Sequence, residues 1–294
     1  MRNILKIILP LSLILFSCIA NSENKGESLT MTEKAKTKYN ELLKRDASIT
    51  KTNDADLESI FNNFLYGEVY NHGTLEPKLR ELVTLVSLTA SQGTDMIKPH
   101  VETALNIGVS PIEIKEALYQ CSPYVGYPRV FAALEKANEV FKEKNISLPI
   151  ESQSTVTEST RFDKGLETQV SIFGDAILAA HSNAAPNQKH IQNFLSANCF
   201  GDFYTRKGLD LKTRELLTFI MIISLGGAEP QAIAHANANI KMGNSKDMML
   251  EAVTQCLPYI GYPRTLNAIT IINNIKWDVL RMVVTYWKIS FYVI

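Results

Sequence analysis

The sequence predicts an all-α protein built from two tandem copies of one helical domain. Three observations support this prediction: a ten-residue motif occurs twice, a second motif recurs at nearly the same offset, and helix-capping signals are frequent while alternating strand patterns are scarce. The 294 residues are 46% hydrophobic and 20% charged, which is enough apolar material for a sizeable core and excludes a disordered chain.

The charge and the cysteine content argue against nucleic-acid-binding proteins, disulfide scaffolds and zinc proteins. The chain has 30 Lys and Arg against 30 Asp and Glu and no run rich in Lys or Arg, so the basic surface that nucleic-acid binding requires is not expected. Its four cysteines are too few and too far apart for a disulfide scaffold or a closed zinc site: Cys18, Cys121, Cys199 and Cys256. We therefore expect neither a nucleic-acid partner nor a metal.

Residues 1–18 are predicted to be a signal sequence. Arg2 and Lys6 flank the start of an apolar run over 7–16 that is too short to span a bilayer. The run ends in Leu-Phe-Ser-Cys, which resembles a bacterial lipobox, where the cysteine becomes the lipidated first residue. The resemblance implies an exported lipoprotein, in the periplasm or on an outer membrane face, anchored at Cys18; the alternative is a secreted protein cleaved after Ala20. Residues 19–30 are predicted to form a polar tether.

The repeat defines the domains. Gln-Cys-Ser-Pro-Tyr-Val-Gly-Tyr-Pro-Arg (120–129) recurs as Gln-Cys-Leu-Pro-Tyr-Ile-Gly-Tyr-Pro-Arg (255–264), identical at eight of ten positions. Lys-Leu-Arg-Glu-Leu-Val-Thr-Leu (78–85) recurs as Lys-Thr-Arg-Glu-Leu-Leu-Thr-Phe (212–219). These matches predict a first domain over 31–144, a linker over 145–158, a second domain over 159–276, and a tail over 277–294 that has no counterpart in the first copy.

The offset between the copies varies along the chain. It is 134 for the Arg-Glu motif and 135 for His100 and His235, each of which lies eight residues before a glycine. Asn-Phe-Leu at 63–65 matches 193–195 at an offset of 130. This last match predicts a longer loop before the Arg-Glu helix in the second copy.

Capping residues predict the helix boundaries. Thr-x-x-Glu at 30–33 and Ser-Pro-x-Glu at 110–113 have the form of capping boxes. Asp210 is expected to cap the second Arg-Glu helix, and Thr74 or Glu76 the first. The glycines at 108 and 243 suit the left-handed residue that ends a helix, and those at 126 and 261 mark the start of the last long helix of each copy.

Taken together, the motifs resemble the carboxymuconolactone decarboxylase family, which includes the alkylhydroperoxidase D-like proteins. The resemblance rests on Arg-Glu-Leu-x-Thr, on the downstream histidine, and on Tyr-x-Gly-Tyr-Pro-Arg, and it covers residues from about 55 to 275. The second copy is the closer match, notably in Gly-Gly-Ala-Glu-Pro at 226–230. The resemblance implies two tandem alkylhydroperoxidase D-like helical domains, and a homotrimer that imitates the family's hexamer.

The peroxidase branch of that family implies a Cys-x-x-Cys pair just before the histidine. In the first copy those positions are Gly93 and Met96, and the equivalent stretch of the second copy also has no cysteine. Thiol peroxidases need a low-pKa thiolate and a resolving cysteine. Cys121 and Cys256 are interpreted as small buried residues. An alkylhydroperoxidase-like antioxidant activity is therefore a disfavoured alternative.

The decarboxylase branch keeps the histidine and glutamate and implies a cofactor-free lyase acting on a small anionic cyclic or unsaturated acid. Loss of carbon dioxide leaves electrons that spread into a conjugated lactone, so a carbon must be protonated by a positioned donor. Histidine, which titrates near neutral pH, suits that task. The candidate catalytic residues are His235, Glu215, His100 and Glu81, and the candidate substrate-binding residues are Arg264, Arg214, Glu229 and Tyr262.

Structural alternatives stand beside these roles. Glu81 and Glu215 could instead partner a helix dipole or an interhelical ion pair. Glu229 could cap a helix that begins at Pro230, and Arg264 could pair with a neighbouring subunit. A third hypothesis for the whole chain is a non-catalytic oligomeric lipoprotein that binds a ligand in the same pocket. The first copy is also a candidate scaffold that has lost its activity.

Overall fold

The computed structural model describes residues 30–47 and 53–275. Within these ranges the protein is all-α: it contains helices and helical turns and no strand. The α-helices are α1 (Glu33–Leu43), α2 (Ala55–Asn62), α3 (Pro77–Ser91), α4 (Ile97–Asn106), α5 (Pro111–Gln120), α6 (Ser122–Val125), α7 (Tyr127–Glu143), α8 (Arg161–Phe173), α9 (Ala176–Ser182), α10 (Lys189–Phe194), α11 (Leu211–Leu225), α12 (Glu229–Lys241) and α13 (Lys246–Asn273). The signal sequence with Cys18, most of the tether and the tail from Trp277 lie outside the described residues.

The two copies share one core. Helices α3 and α11, which carry the two Arg-Glu motifs, pack against each other, and the hydroxyls of Ser87 and Ser224 lie 3.0 Å apart where the helices meet. Both helices are buried on nearly all sides, as expected for central helices whose sequences are apolar all round. One cluster of buried apolar side chains runs through both copies and joins them in a common core.

Most predicted helix ends are confirmed. Asp210 accepts a hydrogen bond from the backbone N–H of Thr213, Glu76 caps α3, and Ser110 and Glu113 form a reciprocal capping box. The capping box predicted at 30–33 is wrong, because Thr32 is the residue that caps α1. The side chain of Asn63 bonds the carbonyl of residue 30 and the N–H of Thr32, which holds this segment extended up to Thr32.

A glycine precedes the last helix of each copy and separates it from the helix before. Gly126 separates α6 from α7 with a φ of 86°, and Gly261 interrupts α13 with a φ of 76°. Residues with a Cβ rarely adopt these angles. The long helix α13 therefore corresponds to α5, α6 and α7 together, and the last helix of each copy begins where the sequence predicted.

The longer loop predicted from the 130-residue offset is wrong. Tyr-Gly-Glu-Val-Tyr (66–70) corresponds to Phe-Gly-Asp-Phe-Tyr (200–204), at the same offset of 134 as the Arg-Glu motif. Tyr70 and Tyr204 each lie 11 residues before the motif glutamate and bond it. In both copies a π-helical turn leads to this tyrosine: Asn63–Glu68 and Leu195–Tyr204. The shared Asn-Phe-Leu tripeptide is a coincidence of composition and not a structural equivalence.

No helix within the described ranges combines the length and the apolar character needed to cross a bilayer.

The linker after α7 is not a free tether, since its apolar side chains at 146, 148 and 150 pack partly buried against the common core.

Candidate active site

Each copy places a buried glutamate against a histidine. Nδ1 of His235, on α12, lies 2.8 Å from Oε2 of Glu215, on α11. Nδ1 of His100, on α4, lies 3.0 Å from Oε2 of Glu81, on α3. Both glutamates are fully buried. The structure thus brings together the two predicted histidine–glutamate pairs, one in each copy.

The pairing determines which ring nitrogen is available. A carboxylate accepts hydrogen bonds, so Nδ1 of each histidine carries the proton and Nε2 keeps a lone pair. A buried carboxylate also needs its remaining lone pairs satisfied. The Tyr204 hydroxyl donates a hydrogen bond to Oε1 of Glu215 at 2.7 Å. The Tyr70 hydroxyl likewise donates a hydrogen bond to Oε1 of Glu81.

These two tyrosines were not predicted from the sequence. Burial first, and then the nearby glutamate, raises the pKa of both hydroxyls well above the ordinary tyrosine value, so both remain hydrogen-bond donors. Their equal spacing from Glu81 and Glu215 was the signal that could have revealed them. The incorrect offset of 130 concealed it.

The ten-residue motif of each copy lies against the other copy's histidine. The ring of Tyr124, from the first copy, packs edge-on against His235 with centroids 5.5 Å apart. The hydroxyl of Tyr259, from the second copy, lies 2.9 Å from Nε2 of His100. We call Glu81, His100, Tyr70 and Tyr259 the first site, and Glu215, His235, Tyr204 and Tyr124 the second site. Each site therefore needs both copies.

The glutamine of the same motif joins the copies. Oε1 of Gln120 accepts a hydrogen bond from Arg214 at 2.9 Å, and Oε1 of Gln255 accepts one from Arg80 at 3.2 Å. Their amide nitrogens donate to the motif threonines, Thr218 and Thr84. The two repeated motifs are therefore the two halves of one interface, which explains why both occur twice.

Arg214 is held within that interface and not beside a histidine. It is fully buried, and besides Gln120 its guanidinium donates to Glu116 at 3.0 Å and to backbone carbonyls at 206, 207 and 209. Arg206 forms a second, double hydrogen bond to the same Glu116 carboxylate. The predicted role of Arg214 in holding a substrate therefore finds no support in its position.

The other predicted substrate-binding residues lie at the far end of α11. Arg264 and Glu229 line a cavity of about 30 Å³ that reaches Ala232, one helical turn before His235, but His235 itself is not part of the lining. A Cβ on Gly226 would lie 3.0 Å from Nε of Arg264, so the glycine permits this close approach. Tyr262 is 63% exposed. Glu229 is the first residue of α12, with Ala228 at the N-cap, so the capping role considered for Glu229 is wrong.

The described cysteines are buried thiols. Burial raises the pKa of Cys199 and Cys256 to about 12 and raises that of Cys121 as well. None of them resembles the low-pKa thiolate of a peroxidase. Within residues 30–47 and 53–275, no group of three or more His, Cys, Asp or Glu side chains is arranged to hold a metal ion.

The two sites differ at Nε2. In the first site the hydroxyl of Tyr259 occupies Nε2 of His100, and that histidine is 3% exposed. In the second site Nε2 of His235 has no hydrogen-bond partner among the described residues, and the histidine is 7% exposed. The second site therefore offers a nitrogen to a ligand, and the first does not.

Comparison with known proteins agrees with the repeat. The sequence profile of the carboxymuconolactone decarboxylase family matches residues 55–139 and 189–274. The chain is 35% identical over 102 residues to the 4-carboxymuconolactone decarboxylase of Acinetobacter baylyi, a match that covers 34% of this chain and 76% of that protein. It is 32% identical over 83 residues to an uncharacterized 15.0 kDa protein from the nqo9-nqo10 intergenic region of Paracoccus denitrificans, covering 27% of this chain and 61% of that protein. The chain belongs to the carboxymuconolactone decarboxylase family and contains two tandem copies of its domain.

Proposed function

We propose that the chain is a cofactor-free carboxy-lyase acting on a small anionic cyclic or unsaturated acid of the carboxymuconolactone type, with His235 as the proton donor. The observation that supports this most strongly is the buried pair of His235 and Glu215, whose Nδ1–Oε2 distance is 2.8 Å while Nε2 is free of protein partners in the described part of the chain. The relative from Acinetobacter baylyi, described as a 4-carboxymuconolactone decarboxylase, supports the same chemistry.

In the proposed reaction, the bond between the ring carbon and its carboxylate breaks and carbon dioxide leaves. The electron pair of that bond passes into the conjugated lactone as a dienolate. His235 takes up a proton from solvent at Nε2 and, as the imidazolium, gives that proton to a carbon of the dienolate, which returns Nε2 to its lone-pair form. Glu215 accepts a hydrogen bond from Nδ1–H and so stabilises the imidazolium, while Tyr204 donates a hydrogen bond to the second oxygen of Glu215.

We assign the substrate carboxylate to Arg264, with Glu229 and Tyr262 at the rim. Arg264 is exposed, and its cavity reaches Ala232 on the helix that carries His235. Arg264→Gln is expected to raise KM more than it lowers kcat, because it would remove binding that substrate and transition state share. His100 and Glu81 form the corresponding pair of the first site.

Carbon dioxide release from γ-carboxymuconolactone by the purified protein tests the proposal, with His235→Ala beside the wild type. We expect release by the wild type and a loss of about 100-fold or more in the variant. The exposed His190, replaced by alanine, is the matched control and should retain full release. Release that survives in His235→Ala, or no release by the wild type, would overturn the named reaction.

We also propose that the protein is a homotrimer. Exposed apolar side chains recur at equivalent positions of the two copies, which is typical of surfaces that associate: Leu57 and Ile60 with Ile191 and Phe194, and Tyr127 and Phe131 with Tyr262 and Leu266. Sedimentation equilibrium should give three times the mass of the polypeptide used, which is 32.9 kDa for the full 294-residue chain. Phe131→Lys with Leu266→Lys is expected to give the monomer, and a monomeric wild type contradicts the proposal.

Finally, we propose export and lipid anchoring at Cys18. The wild type is expected in the membrane fraction, and Cys18→Ala in the soluble fraction, because a protein that loses its lipid chains loses its membrane affinity. Cys121→Ala, which removes a buried thiol, is the control and should remain with the membrane. An unchanged distribution for Cys18→Ala would contradict the anchor.

A further inference from the structure

We propose that the tyrosine each copy contributes to the other copy's site decides which histidine can accept a substrate: Tyr259 closes the first site, while Cys199 helps to hold the Tyr124 hydroxyl away from Nε2 of His235 and keeps the second site open. The statement that only His235 meets the substrate rests on the proposed function. The hydrogen bonds of Tyr259 and Tyr124 do not depend on that function, and they can be tested separately.

The first site is closed by a direct hydrogen bond. Nδ1–H of His100 donates a hydrogen bond to Glu81, so Nε2 has only a lone pair, and the Tyr259 hydroxyl donates to that lone pair across 2.9 Å. The two rings meet edge-on, with centroids 5.4 Å apart. A substrate could reach Nε2 only by displacing this hydroxyl.

The second site contains the same tyrosine of the motif in nearly the same orientation but with different partners. Tyr124 also meets its histidine edge-on, yet its hydroxyl lies 3.0 Å from the hydroxyl of Tyr204 and accepts from the Cys199 thiol at 3.5 Å. Tyr204 is in turn 2.8 Å from the Thr218 hydroxyl. The Tyr124 hydroxyl is therefore satisfied without using Nε2 of His235.

One sequence difference accounts for the extra partner. At the offset of 134 that the structure establishes, Cys199 of the second copy corresponds to Leu65 of the first. Leu65 is fully buried and has no hydrogen-bonding atom in its side chain. The first copy thus presents no thiol at the place where Cys199 contacts Tyr124. Cys199 acts through its hydrogen bond to Tyr124, and Tyr259 acts through its hydrogen bond to His100, so both are positioning residues.

Long-range proton–nitrogen NMR of protein labelled at its histidines tests the closure. A nitrogen lone pair that accepts a hydrogen bond resonates upfield of one that does not, so the Nε2 resonance of His100 should lie upfield of that of His235. Tyr259→Phe is expected to move the His100 resonance downfield to the His235 position. The half-exposed Tyr127, replaced by phenylalanine, is the matched control from the same motif and should move neither. Equal wild-type positions, or no movement in Tyr259→Phe, would overturn the closure.

The role of Cys199 is tested by the same resonances. Cys199→Leu reproduces the first copy and should move the His235 Nε2 resonance upfield. Without the thiol's hydrogen bond the Tyr124 hydroxyl is held less firmly, and it can redirect its proton from the Tyr204 hydroxyl to Nε2. Cys199→Ala removes the thiol without adding volume and serves if the leucine variant does not fold. Cys199→Ser keeps a donor and should leave the resonance in place. An unmoved resonance in both the leucine and the alanine variants would show that Cys199 does not hold the Tyr124 hydroxyl away from Nε2 of His235.

These outcomes are separable from those of the proposed function. If the protein releases no carbon dioxide but shows the expected resonance shifts, the proposed tyrosine hydrogen bonds are supported and the proposed reaction is wrong. If it releases carbon dioxide through His235 but shows equal Nε2 resonances, the proposed reaction is supported and the proposed hydrogen bonds are wrong.

Discussion

The first and second sites are built from equivalent residues, and they differ in the hydrogen-bond partner of the histidine Nε2. In both, a buried glutamate binds Nδ1 of a histidine and accepts from a tyrosine 11 residues earlier in the chain. They part at Nε2, which Tyr259 occupies in the first site and which no described residue occupies in the second. The difference teaches that a duplicated domain can keep its pair of reacting side chains in both copies while a neighbouring contact leaves only one pair accessible.

The largest expected effect compares the two histidines in turnover. His235→Gln should lower the rate of carbon dioxide release by about 100-fold to 10,000-fold, the usual contribution of a positioned proton donor. His100→Gln should change that rate by no more than about twofold, because its Nε2 is already occupied. Steady-state rates of both variants check this. A large loss in His100→Gln would contradict the assignment of the second site.

The interface between the copies shows a second asymmetry. Glu116 accepts from two arginines and is almost fully buried, whereas the equivalent Glu251 bonds the backbone N–H of Thr74 at 2.8 Å near the surface. Glu116→Ala should lower the free energy of unfolding by about 3–5 kcal/mol, since it leaves a buried guanidinium unpaired. Glu251→Ala should cost about 1 kcal/mol. Urea denaturation monitored by circular dichroism measures both, and equal losses would show that the pairs are equivalent.

Opening the first site is expected to have a smaller effect. In a His235→Gln background, Tyr259→Phe should raise the residual carbon dioxide release by about fivefold, because the substrate no longer has to displace a hydrogen bond of about 1 kcal/mol. Tyr127→Phe in the same background is the control. No gain, in a variant whose His100 resonance has shifted, would show that more than Tyr259 keeps the first site inactive.

The smallest effect concerns the thiols. With a pKa of about 12, Cys199 and Cys256 are thiolates in only about one molecule in ten thousand at pH 8, and the thiolate fraction rises only as the pH approaches 12. The native protein should therefore react with iodoacetamide far more slowly than the urea-unfolded protein, and Cys256→Ala should not alter its handling of hydroperoxides. Fast labelling of either native thiol, detected by mass spectrometry, would bring back the peroxidase alternative.

The sequence was sufficient for the fold class, the repeat and the histidine–glutamate pairs, because these depend on local signals: caps, glycines and spacings within one helix pair. It was not sufficient for the residues that complete each site. Tyr124 and Tyr259 reach their histidines from the opposite copy, over 111 residues in one case and 159 in the other, and no local pattern encodes that crossing. Two partners of Arg214 were missed for the same reason, since Glu116 and Gln120 belong to the first copy.

The central claim is that a substrate meets His235 and not His100, and ligand binding tests this directly. The probe is 5-oxotetrahydrofuran-2-carboxylate, a saturated lactone carboxylate that lacks the conjugation needed to lose carbon dioxide. Titrated into histidine-labelled protein, it should shift the imidazole resonances of His235 and leave those of His100 unchanged, and in Tyr259→Phe it should shift both. Shifts at His100 alone, or equal shifts at both histidines of the wild type, would contradict the account.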